Sequence, residues 1–258
     1  MSNNRPEIDR RRFVQLAGAA SLAAGAGLTL GGSRIASAAP SKKSPAELSV
    51  AELYASLSDS QKKAICFGFD DEKRSRANAN WHITKPTIDD DLYTKAQREL
   101  IHNVVKSVTS EDGYERLVAQ TEDDDGGIGA YSIALFGTPE DKGLQFVLTG
   151  RHLTLRADGN VVKDRAFGGP MIYGHGESDP RENLYHYQTI QANKVFAALD
   201  GAQRKQALLA KPPGENQVAL QGDGAKLPGI SGSALSEDQR ELLESSLKVI
   251  FAPYRKED

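Results

Sequence analysis

Apolar residues follow a helical period through the front half of the folded chain and change to strict alternation near Ala130. Ser44-Pro45-Ala46-Glu47 is a capping box with proline at the first helical position, where its missing N–H costs nothing, so a helix is predicted to start there. Further on, Ala96, Leu100, Ile101, Val104, Val105 and Val108 share one face of an amphipathic helix, and His102 falls with Arg98 and Lys106 on the wet face. From Ala130 the period is two. Tyr131, Ile133 and Leu135 alternate with smaller residues, residues 137–143 form a loop, Leu144, Phe146 and Leu148 alternate again, and Leu153 and Leu155 follow. Asp158-Gly159-Asn160 reads as a tight turn into Val161. Strands joined this closely predict an antiparallel meander. Behind it, Asp179-Pro180-Arg181-Glu182 is a second capping box, opening a helix with Ala192, Val195, Phe196 and Leu199 inward. Pro212-Pro213 stops the next helix, residues 214–232 form a loop, and a last helix with Leu242, Leu243, Leu247, Ile250 and Phe251 closes the core. The predicted fold class is α+β: an antiparallel β meander packed against several α-helices, in a single domain over residues 39–258.

A short pattern recurs at four places. Leu57-Ser58-Asp59-Ser60-Gln61-Lys62, Tyr93-Thr94-Lys95-Ala96-Gln97-Arg98, Leu199-Asp200-Gly201-Ala202-Gln203-Arg204 and Leu235-Ser236-Glu237-Asp238-Gln239-Arg240 each pair a capping Ser, Thr or Asp with Gln three residues later. These are helix starts. Their irregular spacing gives no structural repeat.

In front of the domain, Asp9-Arg10-Arg11-Arg12-Phe13-Val14-Gln15 resembles a twin-arginine export signal, with Arg10 and Arg11 as the pair and Phe13 two places on. A Gly-diluted apolar run over residues 16–32 and Ala36-Ser37-Ala38 complete a cleavable leader at residues 1–38. The run is shorter than the ~20 residues a spanning helix needs, so no stable membrane span is expected after cleavage. The resemblance implies the twin-arginine translocation machinery as a partner and a periplasmic or extracellular location. It also implies export in the folded state, a route used by many proteins carrying an inserted cofactor.

Charge separates leader from domain. The first 38 residues hold five arginines against Glu7 and Asp9, leaving 27 Lys and Arg against 33 Asp and Glu in the remainder. A domain this acidic has no electrostatic footprint for nucleic acid or anionic lipid. The single cysteine, Cys66, excludes an intramolecular disulfide and reads as a small apolar residue buried on a helix.

Residues 150–177 gather the candidate chemistry: two of the five histidines, several arginines and many glycines. In a strand over residues 151–156, Leu153 and Leu155 take one face, leaving His152, Thr154 and Arg156 on a polar one. Gly174-His175-Gly176-Glu177 forms a close-approach loop just before a helix, whose positive N-terminal end favours carboxylate and neutral imidazole. Trp81 reads as a plug over the core, with the neighbouring His82 able to reach a site it encloses. The acidic runs Asp89-Asp90-Asp91 and Glu122-Asp123-Asp124-Asp125 do not fit a calcium loop and read as solvated turns.

Three readings stand beside one another. In the first, His152, His175, Glu177 and His82 bind zinc or copper and activate water or a substrate oxygen, giving hydrolytic or oxidative activity. In the second, a non-catalytic envelope domain takes a small anion or glycan through Arg151, Arg156 and Arg165, with Phe167, Tyr173, Tyr185 and Tyr187 as a sugar platform. In the third, the histidines are ordinary polar turn residues.

Trp81, Gln97-Arg98, Asp112-Gly113-Tyr114, Phe136-Gly137-Thr138-Pro139, Gly150-Arg151-His152-Leu153, Gly168-Gly169-Pro170 and Leu199-Asp200 through Gln203-Arg204 together resemble a bacterial family catalogued as domain of unknown function 3500, over residues 48–254. Members of that family tend to carry two adjacent histidines where this chain has Arg151-His152, so the resemblance does not bring a two-histidine chemistry with it. It implies no particular reaction.

Overall fold

A computed structural model describes residues 45–76, 78–140, 143–158, 172–211 and 228–256. Helix α1 (Pro45–Ser56) leads through α2 (Asp59–Ile65) into strand β1 (Cys66–Phe67), and an irregular crossing then reaches α3 (Lys95–Val108) and α4 (Glu111–Asp125). Strands β2 (Ser132–Gly137), β3 (Leu144–Gly150), β4 (Leu153–Asp158) and β5 (Ile172–Tyr173) follow, then α5 (His186–Ala198), α6 (Gly201–Ala207) and α7 (Glu237–Phe251). The class is α+β, and β2 to β5 form the expected antiparallel meander in sheet order β1-β2-β3-β4-β5. Among the described residues, no helix is long and apolar enough to cross a membrane.

Strand β1 corrects one expectation. Its two residues pair parallel with β2, Cys66 opposite Leu135 and Phe67 opposite Phe136, so Cys66 sits at a sheet edge rather than on a helix. Burial pushes its thiol up from 9.0 to about 11, against the opposing pull of the Lys62 ammonium. Two units leave about 100-fold less thiolate at neutral pH, and thiolate is the reactive form. Alkylation by iodoacetamide at pH 8 is therefore expected to run at least tenfold slower in native protein than in urea; equal rates would contradict this burial.

Both faces of the sheet are covered. On one, Ile133, Leu135, Phe146, Leu148 and Leu155 pack against Val50 and Leu53 of α1 and Ile101, Val104 and Val105 of α3. The other face holds Ala134, Phe136 and Val147 under Trp81 and Ile83. Trp81 is indeed a plug, anchored by its indole N–H on Thr154 Oγ1 at 3.0 Å. Beside these apolar contacts runs a stripe of buried polar side chains, Ser132, Thr149, Thr154 and Arg156. They serve the strap that carries Trp81: Ile83 N–H donates to Ser132 and Thr149, Thr154 donates to the Asn78 carbonyl, and Arg156 donates to the Arg76 carbonyl. An irregular strap cannot be buried without partners for its backbone, and this stripe supplies them.

All four capping boxes are present, at Ser58, Thr94, Asp200 and Ser236. Contrary to the expectation of no repeat, they form two like pairs. The Gln61 and Gln97 amides donate to each other at 2.8 and 3.2 Å, and the Gln203 and Gln239 amides do so at 2.9 and 2.8 Å, each pair 36 residues apart. Each glutamine also donates to a backbone carbonyl beside its partner's helix: Gln97 to Ser56, Gln61 to Leu92, Gln239 to Ala198 and Gln203 to Ala234. A shift of 142 positions carries Ser58 to Asp200 and Thr94 to Ser236, and it superposes Gln97-Arg98-Glu99-Leu100 on the identical Gln239-Arg240-Glu241-Leu242. Helices α1, α2 and α3 thus have counterparts in α5, α6 and α7, an internal repeat with the meander between its halves.

The second half joins the first through its end. Ser110 N–H donates to the Pro253 carbonyl, Ser110 Oγ to the Ala252 carbonyl, and Arg255 N–H to the Val108 carbonyl. Tyr173 stacks edge-on against Tyr185 and Tyr254 and donates its hydroxyl to the Ile250 carbonyl at 2.6 Å.

Candidate functional site

The last turn of α4 reads Glu122-Asp123-Asp124-Asp125 before Gly126 takes the left-handed cap at φ 74°. Gly126 and Gly127 N–H groups return to the Glu122 and Thr121 carbonyls, which ends the helix cleanly. These carboxylates are therefore helical, not in a solvated turn as expected. They also crowd the end where the helix dipole is negative, with no basic residue in the turn, an arrangement that costs stability unless a cation compensates it.

Asp124 points inward, its side chain 5% exposed, and two separate segments meet it. The first is the β3–β4 turn. Gly150 pairs with Leu153, so Arg151 and His152 form a two-residue hairpin connection, which replaces the strand position expected for His152. His152 takes φ +54°, costly for a residue with a Cβ. The surroundings hold it there: its N–H donates to the Ala79 carbonyl at 2.6 Å, and its carbonyl accepts from Gln120 at 3.1 Å. The imidazole Nδ1 lies 2.9 Å from Asp124 Oδ1, and Arg151 Nε is 3.7 Å from the same oxygen.

The second segment carries His175 and Glu177. His175 is buried; its Nε2 lies 2.6 Å from Glu177 Oε1 and 3.8 Å from Asp123 Oδ2, and its Nδ1 lies 3.8 Å from Asp124 Oδ1. His175 Nδ1 and Asp124 Oδ2 are both buried without a hydrogen-bond partner. Asn183 fastens the loop through its amide on the His175 carbonyl, and the His152 ring lies over Gly176. A helix was expected to begin at Asp179, but a 3-10 turn (Pro180–Glu182) stands there and α5 starts at His186. The pair His175 and Glu177 therefore faces the negative end of α4, not the positive end of a helix, which inverts the electrostatics read from the sequence.

The remaining candidates lie elsewhere. His82 is exposed between the inward-facing Trp81 and Ile83 and is not among the described residues that meet at Asp124. Arg156 is fully buried beneath the strap, where desolvation, aided by the nearby Arg74 charge, lowers its guanidinium to about 10; it is not a surface anion ligand. Arg151 is committed toward Asp124, while Arg165, Phe167 and the leader residues Arg10, Arg11 and Phe13 lie outside the described residues. Tyr173 and Tyr185 pack into the junction with α7 instead of forming a sugar platform. Asp123, Asp124 and Gln120 were missed. Their signal was an acidic run in a helix's last turn, where basic residues belong.

As the side chains stand, no group of three or more His, Cys, Asp or Glu among the described residues converges closely enough to hold a metal ion. The cluster gathers two imidazoles and three carboxylates: His152 with Asp124 and His175 with Glu177 are its close pairs, and His175 Nδ1 and Asp124 Oδ2 have no hydrogen-bond partner. Neither the curated proteins nor the solved structures provide a match to the chain. A family model described as "Protein of unknown function (DUF3500)" matches residues 42–257, slightly more than the span of the resemblance seen in the sequence. The chain belongs to the DUF3500 family.

Proposed function

We propose that this is an exported metal-binding protein, with Asp124, His175, His152 and Glu177 as the ligand set for zinc or copper and hydrolytic chemistry as its outcome. The observation that carries the reading is the pair of orphaned atoms, His175 Nδ1 and Asp124 Oδ2, in a cluster buried at the negative end of α4. Buried polar groups without partners call for an ion or water. The 3.8 Å between His175 Nδ1 and Asp124 Oδ1 is too long for a hydrogen bond. It suits two ligands of one ion with bonds of about 2.1 Å. Glu177, one-third exposed, closes the set by turning from His175 Nε2 toward the same point. A bound divalent ion would supply a Lewis acid and a water of lowered pKa. Asp124 Oδ1 would hold the His152 ring at Nδ1, leaving Nε2 as the nitrogen offered to the ion.

The small-anion reading has less support, because Arg151 lies beside the Asp124 carboxylate and the strap buries Arg156. Metal content of untagged protein from an export host tests the proposal, followed by zinc and copper titration of the chelator-treated protein. Near-stoichiometric metal is expected, with Asp124→Asn and His175→Gln each weakening affinity at least about 100-fold. Acidification should release the ion as protons compete for the imidazoles. Protein without metal that also fails to bind zinc or copper in titration would sink the reading.

A further inference from the structure

Two costs meet at the β3–β4 turn, and neither is needed to close a hairpin. Among the described residues His152 is the only one besides glycine with a positive φ, at 54°. It stands at the second position of the turn, where glycine or asparagine adopts that conformation most easily. Gln120, fully buried on α4, donates to the His152 carbonyl at 3.1 Å and leaves its own Oε1 buried without a partner. A buried amide with an unsatisfied oxygen costs stability that an apolar side chain of the same length would not. Exceptions of this kind, gathered at one point, mark a functional constraint.

What the costs secure is a direction. The Tyr131 hydroxyl donates to the Arg151 carbonyl at 2.8 Å, and the Tyr131 ring lies so close to Gly150 that a Cβ there would stand 2.1 Å from its Cδ1. The Ala79 carbonyl takes the His152 N–H at 2.6 Å, and Asn80 pairs with Arg151 in an isolated bridge. The turn is thus gripped from three sides, by α4, by the residue before β2 and by the strap. One helical turn beyond Gln120, on the same side of α4, Asp124 Oδ1 lies 2.9 Å from the ring Nδ1. Gln120 therefore fixes the backbone of His152, and Asp124 fixes its ring. So held, the far edge of the imidazole lies over the residue between His175 and Glu177: a Cβ on Gly176 would stand 3.5 Å from Cε1 and 3.8 Å from Nε2.

We infer that Gln120 and Tyr131 are positioning residues of the site, holding the turn in the strained conformation that presents His152 Nε2 to the ion; the inference rests on the metal reading above. Zinc and copper titrations of the chelator-treated full chain test it. Gln120→Met keeps the length of the side chain and removes the donor, and Tyr131→Phe removes only the hydroxyl. Each should weaken affinity about 10- to 100-fold with unchanged far-UV circular dichroism, and neither should weaken it further in the His152→Ala background. That second arm separates positioning from general support of the fold, which would act with or without the imidazole. If Gln120→Met does not fold, Tyr131→Phe carries the same two arms. Strain is read from metal-free protein: His152→Gly should melt about 2–4 °C above His152→Ala. Wild-type chain that binds neither ion overturns the metal reading and this inference with it. Wild-type chain that binds while the folded variants bind equally well, or lose as much again without His152, overturns this inference alone. So does His152→Gly melting no higher than His152→Ala.

Discussion

Gly113→Ala is expected to cost about 3–5 kcal/mol of stability and to free the C-terminal segment from the core. A Cβ on Gly113 would stand 1.8 Å from the Pro253 carbonyl oxygen and 2.6 Å from its Cα. Backbone, not a flexible side-chain tip, occupies that space, so residues 252–256 must move as a unit. Overpacking alone costs about 1–3 kcal/mol. The displaced segment also loses the bonds from Ser110 N–H, Ser110 Oγ and Arg255 N–H. Each contributes roughly 0.5–1.5 kcal/mol. For a chain of this size the midpoint of thermal unfolding should fall by roughly 10 °C. Gly201→Ala is the matched control, since nothing lies within 4 Å of its added Cβ at the first residue of α6. A thermal melt in which Gly113→Ala behaves like Gly201→Ala would show that the α4–tail contact is not made.

The second large effect lies in the glutamine clasps. Gln97→Ala removes the reciprocal amide pair with Gln61, the bond to the Ser56 carbonyl and the return bond from the Thr94 N–H. The Gln61–Gln97 bonds are buried, so water cannot replace them, and each orphaned group costs about 1–3 kcal/mol. A total near 3–4 kcal/mol is expected. Gln239→Ala breaks the equivalent bonds, but its pair with Gln203 is only partly buried, so the loss should be about half. Urea midpoints at constant m-value measure both, and a double-mutant cycle on Gln61 and Gln97 isolates the coupling. Equal losses in the two halves would contradict the burial difference.

These predictions rest on features of unequal legibility. The four caps were readable because a Ser, Thr or Asp followed by Gln at the third position has one local outcome, a helix start. The pairing of those caps was not, since it depends on which helices lie side by side. The meander showed in the alternation through Tyr131, Ile133 and Leu135. Strand β1 was hidden: two residues carry no period, and its partner lies 69 positions away. Thr154 and Arg156 read only as part of a polar face, whereas their side chains serve the backbone of a buried strap. Only the long-range position of residues 78–84 reveals the difference.

For the site, the sequence found three of its members and missed the one that unites them. His152, His175 and Glu177 stand in glycine-rich segments that invite attention. Asp124 was concealed by its neighbours, because a run of carboxylates ordinarily points to water. Its inward direction follows from helical phase, which places Gln120 and Asp124 on one side of α4, four residues apart, both turned toward the β3–β4 turn. The electrostatic error had the same root. A capping box was assigned to Asp179, but its side chain accepts from the Arg181 N–H and guanidinium and starts a single 3-10 turn.

The two clasps carry a consequence for how the chain finds its native state. Their polar chemistry is interchangeable: Gln61 can satisfy Gln239 with the same bonds, and Gln203 can satisfy Gln97. During refolding, local hydrogen bonding therefore does not distinguish correct closure from crossed closure between halves, or between molecules. Discrimination falls to the aliphatic surfaces behind the clasps, where Val104 and Val105 of α3 match the sheet and Ser246 and Leu247 of α7 do not. Crossed closure between molecules is then a kinetic trap whose population should grow with protein concentration.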